Sequence, residues 1–249
     1  MSIKLVVIAV LGLIASAGAH ASLIARVGGM VYDDVNNITW AADANLFATQ
    51  AAGNSNLVSE IIAANGGVIH DIPNGYDTVT NSGIYVLSTS DFNVSNGQMT
   101  WWGAQAWANK LILGGVNGWS LPNIVDATNS VNLGFNMTSS PMGDLFYSQL
   151  GGVADTSINT THNVNYNLFV NVQDYVYWSS SEYAPIPHNA WYLNTVNGYQ
   201  GLYNKDLPLY AWAVHVGDVA SVSLPSAVWL FLTGLLGCMG LKRRSHINN

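Results

Sequence analysis

The fold is decided by the stretch Trp191–Tyr203, which reads WYLNTVNGYQGLY. Aromatic and β-branched residues lie on both sides of Asn197-Gly198, and Asn-Gly is the preferred pair for a two-residue hairpin turn. The sequence therefore predicts a β-hairpin whose strands are Trp191–Val196 and Tyr199–Tyr203. An antiparallel sheet built around this hairpin is the first expectation for the fold.

Three more segments have the pattern of β-strands. Val170–Trp178 is rich in β-branched and aromatic residues, and Tyr210–Val216 alternates with a period of two, which buries one face of a strand. Met30–Trp40 is typical of a strand, an Asx-rich turn and a second strand. We expect all of these strands to join the antiparallel sheet.

Short helices are predicted between the strands. Apolar residues recur at helical spacing over Ala104–Leu111, and Gly114-Gly115 is expected to end this helix. Two further helices are predicted at Asp144–Gln149 and Leu57–Ala64. The second of them falls in the Asn-, Gly- and Ser-rich segment 50–98, where we expect the least regular structure. The predicted fold class is therefore α+β, with an antiparallel sheet and two or three short helices.

The N-terminal residues have the pattern of a secretory signal. Lys4 precedes an apolar run from Leu5 to Ala15, and Ala19 and Ala21 are the small residues that a signal peptidase requires. We therefore expect residues 1–21 to be a signal peptide. The alternative is an uncleaved membrane helix, which is disfavoured because the apolar run is short for spanning.

The C-terminal residues predict a membrane segment. Leu224 and Pro225 lead into an almost wholly apolar run over 226–241, which is followed directly by Lys242, Arg243 and Arg244. A transmembrane helix of this length spans roughly 24 Å, and the basic residues would hold its end in the cytoplasm. A buried core helix is the alternative, and the terminal basic cluster disfavours it.

Residues 222–246, with Leu224-Pro225, the apolar run and the basic stop, resemble a PEP-CTERM sorting tail. The resemblance implies an exosortase-type processing enzyme as a partner, and delivery to the cell surface or the extracellular matrix. The tail departs from that family by having Ser223-Leu224-Pro225 where the name motif is Pro-Glu-Pro.

Composition limits the partners of the exported part, residues 22–220. Its cations are Arg26, Lys110 and Lys205 against 14 acidic residues, a net charge of −11, so nucleic acid is excluded and anionic polymers are disfavoured. The single Cys238 lies in the tail, so the exported part has no disulfide and depends on core burial for its stability. Its polar surface of Asn, Ser, Thr and Gly suits neutral sugars or an inert coat.

Seven groups of short motifs are spread in order between Gly28 and Asp218. They are Tyr32-Asp33 with Ile38–Trp40 and Asp43–Asn45, Met99–Trp101 with Ala104–Leu111, Gly118–Pro122, Leu145–Tyr147 with Leu150-Gly151, Tyr177–Glu182, Ala190-Trp191, and Ala211–Val214 with Gly217-Asp218. Together they resemble the Lcl C-terminal-like domain, a family of unknown function with a C-type-lectin-like character, and imply that fold for 22–220. The chain departs from the family in two ways. Ser120 stands where the family usually has an arginine between Trp119 and Leu121. The cysteines of many members are missing, which disfavours an enzyme of the related formylglycine-generating kind.

Asp33, Asp43 and Asn45 are the first candidates for a ligand site. Their side-chain oxygens are of the kind that calcium prefers. The alternative is that they form Asx turns and cap the first hairpin, which is the ordinary role of these residues, and the EF-hand spacing is absent. No metal site and no cofactor is predicted, and calcium stays possible.

Trp178 and Glu182 are the second candidates, because they could present an aromatic plane and a carboxylate to a sugar. The alternative is that Trp178 anchors the core and Glu182 accepts backbone hydrogen bonds beneath the following loop. Glu182 with Asp206 is also the pair that a polysaccharide-acting enzyme would need. The histidines are too dispersed for a zinc or copper site.

The sequence as a whole predicts an exported, non-catalytic binding module that is linked to exopolysaccharide or biofilm and processed by an exosortase. Its alternatives are an enzyme that acts on polysaccharide and a purely structural surface coat. A neutral glycan is the expected ligand of the first.

The tail generates a testable prediction. In a host that has an exosortase, the mature protein should end near Leu224 and leave the inner-membrane fraction, because proline keeps the chain before the helix extended and accessible while the basic cluster stops translocation. Mass spectrometry of the surface fraction locates the new end. Full-length protein in that fraction, with Cys238 still attached, would contradict the prediction.

Overall fold

The computed structural model describes residues 23–124 and 132–219. The predicted signal peptide and the predicted sorting tail, with Leu224, Pro225 and the three basic residues, lie outside the described residues. Between residues 23 and 219, leaving aside 125–131, no helix has the length and apolarity to cross a membrane.

The described chain alternates strands with short helices. The strands are β1 (Leu23–Arg26), β2 (Met30–Asp33), β3 (Ile38–Ala41), β4 (Val68–His70), β5 (Ile84–Val86), β6 (Val176–Glu182), β7 (Asn189–Asn194), β8 (Gln200–Asn204), β9 (Tyr210–Ala211) and β10 (Val214–Val216). The helices are α1 (Leu46–Gly53), α2 (Leu57–Ala64), α3 (Trp101–Lys110) and α4 (Pro141–Asp144). The α+β class is confirmed, while the C-type-lectin-like topology stays a prediction.

The strands form two four-stranded sheets and one two-stranded sheet rather than the single sheet that the sequence predicts. The first sheet has the order β1-β2-β3-β10, and all of its pairs are antiparallel. The second has the order β8-β7-β6-β9, in which β6 and β9 run parallel. β4 and β5 pair antiparallel as the third sheet, so the segment 50–98 is more regular than predicted.

The central hairpin forms, but its turn differs from the prediction. The Asn194 N–H donates to the Tyr199 carbonyl (2.8 Å), so the loop has four residues, 195–198, instead of two. The Asn194 Oδ1 accepts from the Val196 N–H (2.9 Å), an Asx turn that begins the loop two residues early. Gly198 adopts a φ of +78° and closes it.

Two predicted strands have wrong bounds. Val170 pairs with Asp43 in an isolated bridge, and Asn171 has a φ of +55°, so the chain turns there and the strand begins only at Val176. The predicted strand Tyr210–Val216 is divided between the two large sheets, because its first two residues pair with β6 and its last three with β3.

Trp212 occupies the crossing point between the large sheets. Its indole N–H donates to the Ala41 carbonyl (2.8 Å), and its ring lies 5.4 Å from that of Trp40 and 5.5 Å from that of Tyr177. All three aromatic side chains are buried. Large aromatic areas therefore form the core in a domain that has no cysteine, as the composition predicts.

The helices largely follow the sequence pattern. α2 has the predicted bounds, α3 ends at Lys110 instead of Gly114, and α4 begins three residues before Asp144 and continues as a π-helical turn, Leu145–Gln149. Gly114-Gly115 instead forms the tight turn between Leu113 and Val116, which bond to each other. α1 was not predicted, so the described residues contain four α-helices where two or three short helices were expected.

Asp91 fixes the start of α3. Its buried carboxylate accepts hydrogen bonds from the Tyr85 and Thr100 hydroxyls (both 2.8 Å), and the Thr100 side chain in turn accepts from the Gly103 N–H as the N-cap. The backbone of Asp91 therefore lies directly against Gly103. A Cβ on Gly103 would lie 2.5 Å from the Asp91 carbonyl oxygen.

This contact predicts that replacing Gly103 by alanine destabilises the domain, although alanine favours a helix more than glycine does. Gly103→Ala should lower the free energy of unfolding by about 1–3 kcal/mol, because the added methyl overpacks a buried contact and outweighs the gain in helix propensity. Gly53→Ala, in α1 with no atom within 4 Å of the added carbon, is the matched control and should be neutral or slightly stabilising. Urea unfolding of both variants measures the difference, and equal effects would contradict the prediction.

Candidate functional site

Lys205 lies at the centre of a buried ion cluster. Its Nζ is 2.6 Å from the Asp71 Oδ2 and 2.6 Å from the Glu182 Oε2. The side chains of Lys205 and Asp71 are 0% exposed, and that of Glu182 is 18% exposed. The ion pairs of Arg26 with Asp218 and of Lys110 with Glu60 are, in contrast, partly exposed to solvent. We call Lys205, Asp71 and Glu182 the ion cluster.

Aromatic rings and backbone groups enclose the ion cluster. The Lys205 Nζ lies 4.8 Å from the centre of the Trp101 ring and 5.8 Å from that of the Trp102 ring, within the range of cation–π attraction. The Ile72 N–H donates to the Glu182 Oε2 (2.8 Å). Glu182 thus accepts a backbone hydrogen bond, which was the alternative to its role as a ligand-binding residue, but from the loop after β4 instead of the loop after β6.

Three distant segments bring the ion cluster together. Asp71 directly follows β4, Glu182 ends β6, and Lys205 directly follows β8. The Lys205 carbonyl accepts from the Trp101 N–H (2.8 Å) at the start of α3, so the strand end and the helix hold each other in place.

A polar groove opens above Glu182. It has a volume of about 460 Å³ and lies between α3, β4 and β6. Amides, an imidazole, a hydroxyl and one carboxylate line it, from Gln105, Asn109, His70, Ser180 and Glu182. Trp101 also borders the groove but is 2% exposed, so it offers almost no ring surface.

Asp206, the proposed second carboxylate of an enzyme, is not among the lining residues of the polar groove. It is exposed, in the turn that follows β8, whereas the preceding Lys205 is buried. It interacts with Tyr76, whose pKa is raised first by burial and then by the Asp206 charge. Glu182 is therefore the carboxylate that the polar groove contains.

A second surface consists of aromatic side chains at the edge of the second sheet. Tyr199 and Tyr203 lie on the same face of the β8 segment as Gly201, and Tyr192 is paired with Gly201 across the ladder. A Cβ on Gly201 would lie 2.5 Å from the Tyr192 hydroxyl oxygen and 2.9 Å from a Tyr199 ring carbon, so both tyrosines lean across the glycine. Phe135 joins them through the bridge between Gly134 and Gln200.

These four side chains, Phe135, Tyr192, Tyr199 and Tyr203, form one continuous cluster, which we call the aromatic ribbon. The Tyr192 and Tyr203 rings stack at 4.5 Å, and the Phe135 and Tyr199 rings meet edge to face at 5.2 Å. Phe135 is 37% and Tyr203 is 40% exposed. In the part of the chain that the structure describes, none of the three tyrosine hydroxyls has a hydrogen-bond partner, and Tyr192 is itself only 8% exposed.

The first group of predicted site residues has local structural roles. Asp33 is fully buried, and its Oδ1 accepts from the Val35 and Asn36 N–H groups (both 3.1 Å) in the turn between β2 and β3. The Asp43 Oδ1 accepts from the Asn45 N–H (2.9 Å), and the Asn45 amide donates to the Asn96 carbonyl (3.0 Å). Asp33 and Asp43 thus bond to separate sets of residues.

No three His, Cys, Asp or Glu side chains within 23–124 and 132–219 are grouped so as to hold a metal ion. The calcium hypothesis for Asp33, Asp43 and Asn45 gains no support from this geometry.

Trp178 and Glu182 do not form one site, because the first lies in the core and the second lines the polar groove. Trp178 is 0% exposed, and its indole N–H donates to the Met99 carbonyl (3.1 Å), so it presents no ring surface to a sugar. Glu182 alone among the five predicted ligand-binding residues lines the polar groove and takes part in the ion cluster.

Comparison with known protein families identifies the family of this chain. The family model described as the Lcl C-terminal domain matches residues 29–215. The chain belongs to the Lcl C-terminal domain family. Comparison with curated proteins and with solved structures returned no match.

Sequence reasoning missed the two most distinctive features of this Lcl C-terminal domain. The alternation of Tyr199, Gly201 and Tyr203 was a usable signal for the aromatic ribbon, because alternate residues of a strand share a face. Lys205 gave no such signal. Its partners are 134 and 23 residues away, and a lysine after a strand is ordinarily solvated.

The aromatic ribbon generates a pH prediction for the Lcl C-terminal domain. Burial, and secondarily Tyr203 and Tyr199, raise the pKa of Tyr192 to about 12 from an ordinary value near 10. A raised folded-state pKa gives stability that is present below about pH 10 and is lost as pH rises towards about pH 12. Tyr192→Phe should therefore lose less thermal stability over that window than the wild type. An identical alkaline loss in the variant would contradict the assignment.

Proposed function

We propose that this chain is an exported, non-catalytic module that binds a neutral polysaccharide through the aromatic ribbon. The observation that carries the proposal is the aromatic ribbon itself, with exposed rings at Phe135 and Tyr203 and, within the described residues, no hydrogen-bond partner for its tyrosine hydroxyls. The family to which the chain belongs suggests a surface-associated binding module, which agrees with this function.

The chemistry of the aromatic ribbon matches a sugar chain. A pyranose ring has apolar C–H faces and a rim of hydroxyl groups, so it needs a partner that offers both apolar area and hydrogen bonds. Tyrosine supplies rigid, amphipathic contact area with few rotatable bonds, and its hydroxyl both donates and accepts. An elongated row of such side chains at a sheet edge suits an internal stretch of polysaccharide rather than a small enclosed molecule.

Charge supports a neutral ligand. The exported part carries a net charge of −11, and none of its three cations belongs to the aromatic ribbon. Lys205 is neutralised by Asp71 and Glu182, while Arg26 and Lys110 are paired with acidic residues. An anionic polysaccharide would therefore meet repulsion without a compensating cation.

The polar groove supports binding rather than catalysis. Glycoside hydrolysis ordinarily needs two carboxyl groups that face each other across the scissile bond. Glu182 lines the polar groove without Asp206, and its Oε2 already accepts from Lys205 and Ile72. The polysaccharide-acting enzyme therefore ranks behind the binding module.

Delivery by the predicted signal peptide and sorting tail belongs to the same proposal. An exosortase that processes the tail would release the module from the inner membrane into the exopolysaccharide matrix. There the aromatic ribbon would hold it by its contacts with the matrix.

Co-sedimentation of the full chain with insoluble neutral glucans, with a soluble polyuronate as the anionic probe, tests the proposal. We expect the wild type to bind the neutral glucan without releasing reducing ends. Tyr203→Ala and Phe135→Ala should each weaken binding roughly tenfold, because each removes an exposed ring that stacks on the sugar. Tyr32→Ala, which removes a tyrosine from the first sheet, is the matched control and should bind like the wild type.

Three outcomes would contradict the proposal. Release of reducing ends would favour the enzyme, and absence of binding to every neutral glucan would favour the coat. Binding that Tyr203→Ala and Tyr32→Ala reduce equally would remove the aromatic ribbon as the site.

A further inference from the structure

We propose that Lys205 and Asp71 form an intramolecular amide bond, with Glu182 as the proton carrier for its formation. The bond would join the Lys205 Nζ to the Asp71 Cγ and would cross-link two positions 134 residues apart. It is a modification of the ion cluster and is independent of sugar binding at the aromatic ribbon.

The two reacting groups are already in contact. The Lys205 Nζ lies 2.6 Å from the Asp71 Oδ2, the oxygen that is bonded to the carbon that the nitrogen would attack. Both side chains are 0% exposed, and the flanking Trp101 and Trp102 rings help to keep water from the contact. Holding two groups at this separation in a dry site supplies much of what an amide-forming reaction needs.

The Asp71 Oδ2 is held by donors that would stabilise the developing negative charge. It accepts from the Trp102 indole N–H (2.9 Å) and from the Asn74 amide (2.9 Å) in addition to the Lys205 Nζ. When a nitrogen attacks Cγ, the carbonyl oxygen becomes an oxyanion, and two fixed N–H donors are the arrangement that stabilises it. After the reaction the same donors bind the amide oxygen.

The Asp71 Oδ1 is the atom that the reaction would remove. It is buried and has no hydrogen-bond partner within the described residues. An unsatisfied buried oxygen in a native structure calls for an explanation, because its desolvation is uncompensated. Loss of this oxygen as water leaves the other polar atoms of the ion cluster with their partners.

Glu182 is placed to move the protons. Its Oε2 is 2.6 Å from the Lys205 Nζ and therefore contacts the ammonium group whose protons must move. In the proposed reaction one of these protons passes by way of Glu182 to the Asp71 Oδ1, which leaves a neutral amine and a neutral acid. The amine lone pair forms the N–Cγ bond while the electron pair of the carbonyl moves to Oδ2. Glu182 then takes a second proton from nitrogen and gives it to the Oδ1 hydroxyl.

The Cγ–Oδ1 bond breaks as the carbonyl at Oδ2 reforms, and one water leaves. Ammonium and carboxylate thus become amide and water, and Glu182 returns to its starting state. No oxidant, nucleotide or external reagent is needed.

A cross-link of this kind would stabilise a domain that lacks disulfides. The exported part contains no cysteine, although its compartment would permit disulfides. Closing a long loop of chain removes conformations from the unfolded state in the same way as a disulfide does. An amide would also persist under reducing conditions.

Tryptic mapping of the denatured full chain tests the proposal. Unlinked protein is cleaved after Arg26, Lys110 and Lys205, so 27–110 and 111–205 separate. Cross-linked protein resists cleavage at Lys205, because its side chain is an amide. It therefore yields peptide 27–110 joined to peptide 111–242, and the mass of the product is lower by one water than the sum of the two separate peptides. Recovery of a linear peptide that ends at Lys205, from all of the wild-type protein, overturns the proposal whether or not any variant folds.

Variants at the two glutamates separate the chemistry from the fold. Glu182→Gln keeps the size of the side chain but cannot carry protons, so the joined peptide should be lost while circular dichroism stays native. Glu60→Gln, in the partly exposed pair with Lys110, is the matched control and should keep the joined peptide. A joined peptide in Glu182→Gln would overturn the role of Glu182.

Discussion

Lys205 holds its ammonium group entirely out of water, and much of the structure around the second sheet follows from this constraint. Burying an isolated charge costs several kcal/mol even after relaxation, so the surroundings must supply countercharges and hydrogen bonds in close contact. Asp71 and Glu182 supply the countercharges at 2.6 Å. For these countercharges to contact Lys205, the end of β4, the end of β6 and the residue after β8 must meet at one point. The loop after β4 bonds Glu182 through the Ile72 N–H, and α3 starts on the Lys205 carbonyl, so both depend on the same cluster.

The ion cluster also shapes what the surface can bind. With Lys205 buried and the other two cations of the exported part in ion pairs, an acidic domain presents no unpaired cation of its own to a ligand. The binding that we propose rests instead on aromatic area and neutral hydrogen bonds. The aromatic ribbon offers these, and its Tyr203 lies on β8, so the strand that directly precedes Lys205 also carries part of the ligand surface that we propose.

The sequence predicted the features that local pattern determines. α2 has the predicted bounds because its apolar spacing is clear, and the β2–β3 hairpin forms where the Asx-rich turn indicated it. The features that depend on distant partners were not predictable in this way. Tyr210–Val216 alternates like one strand, yet Trp212 crosses between two sheets, and no local signal marks that crossing. Trp178 has the core role that was the alternative to its place among the ligand-binding candidates. Lys205 is only one of three cations in the sequence pattern, because its partners lie far along the chain.

The most direct test of this account is hydrogen exchange at the side-chain nitrogen of Lys205, followed by NMR of the full chain labelled with ¹⁵N-lysine. Lys110, whose side chain is 27% exposed, serves as the internal comparison, and loss of a signal in Lys205→Gln assigns the resonance. The account predicts one side-chain nitrogen whose hydrogens exchange far more slowly than those of Lys110, with an amide-type shift if the cross-link has formed and an ammonium-type shift if it has not. Exchange at Lys205 as fast as at Lys110 would show a solvated ammonium group and would contradict the buried cluster on which the account rests.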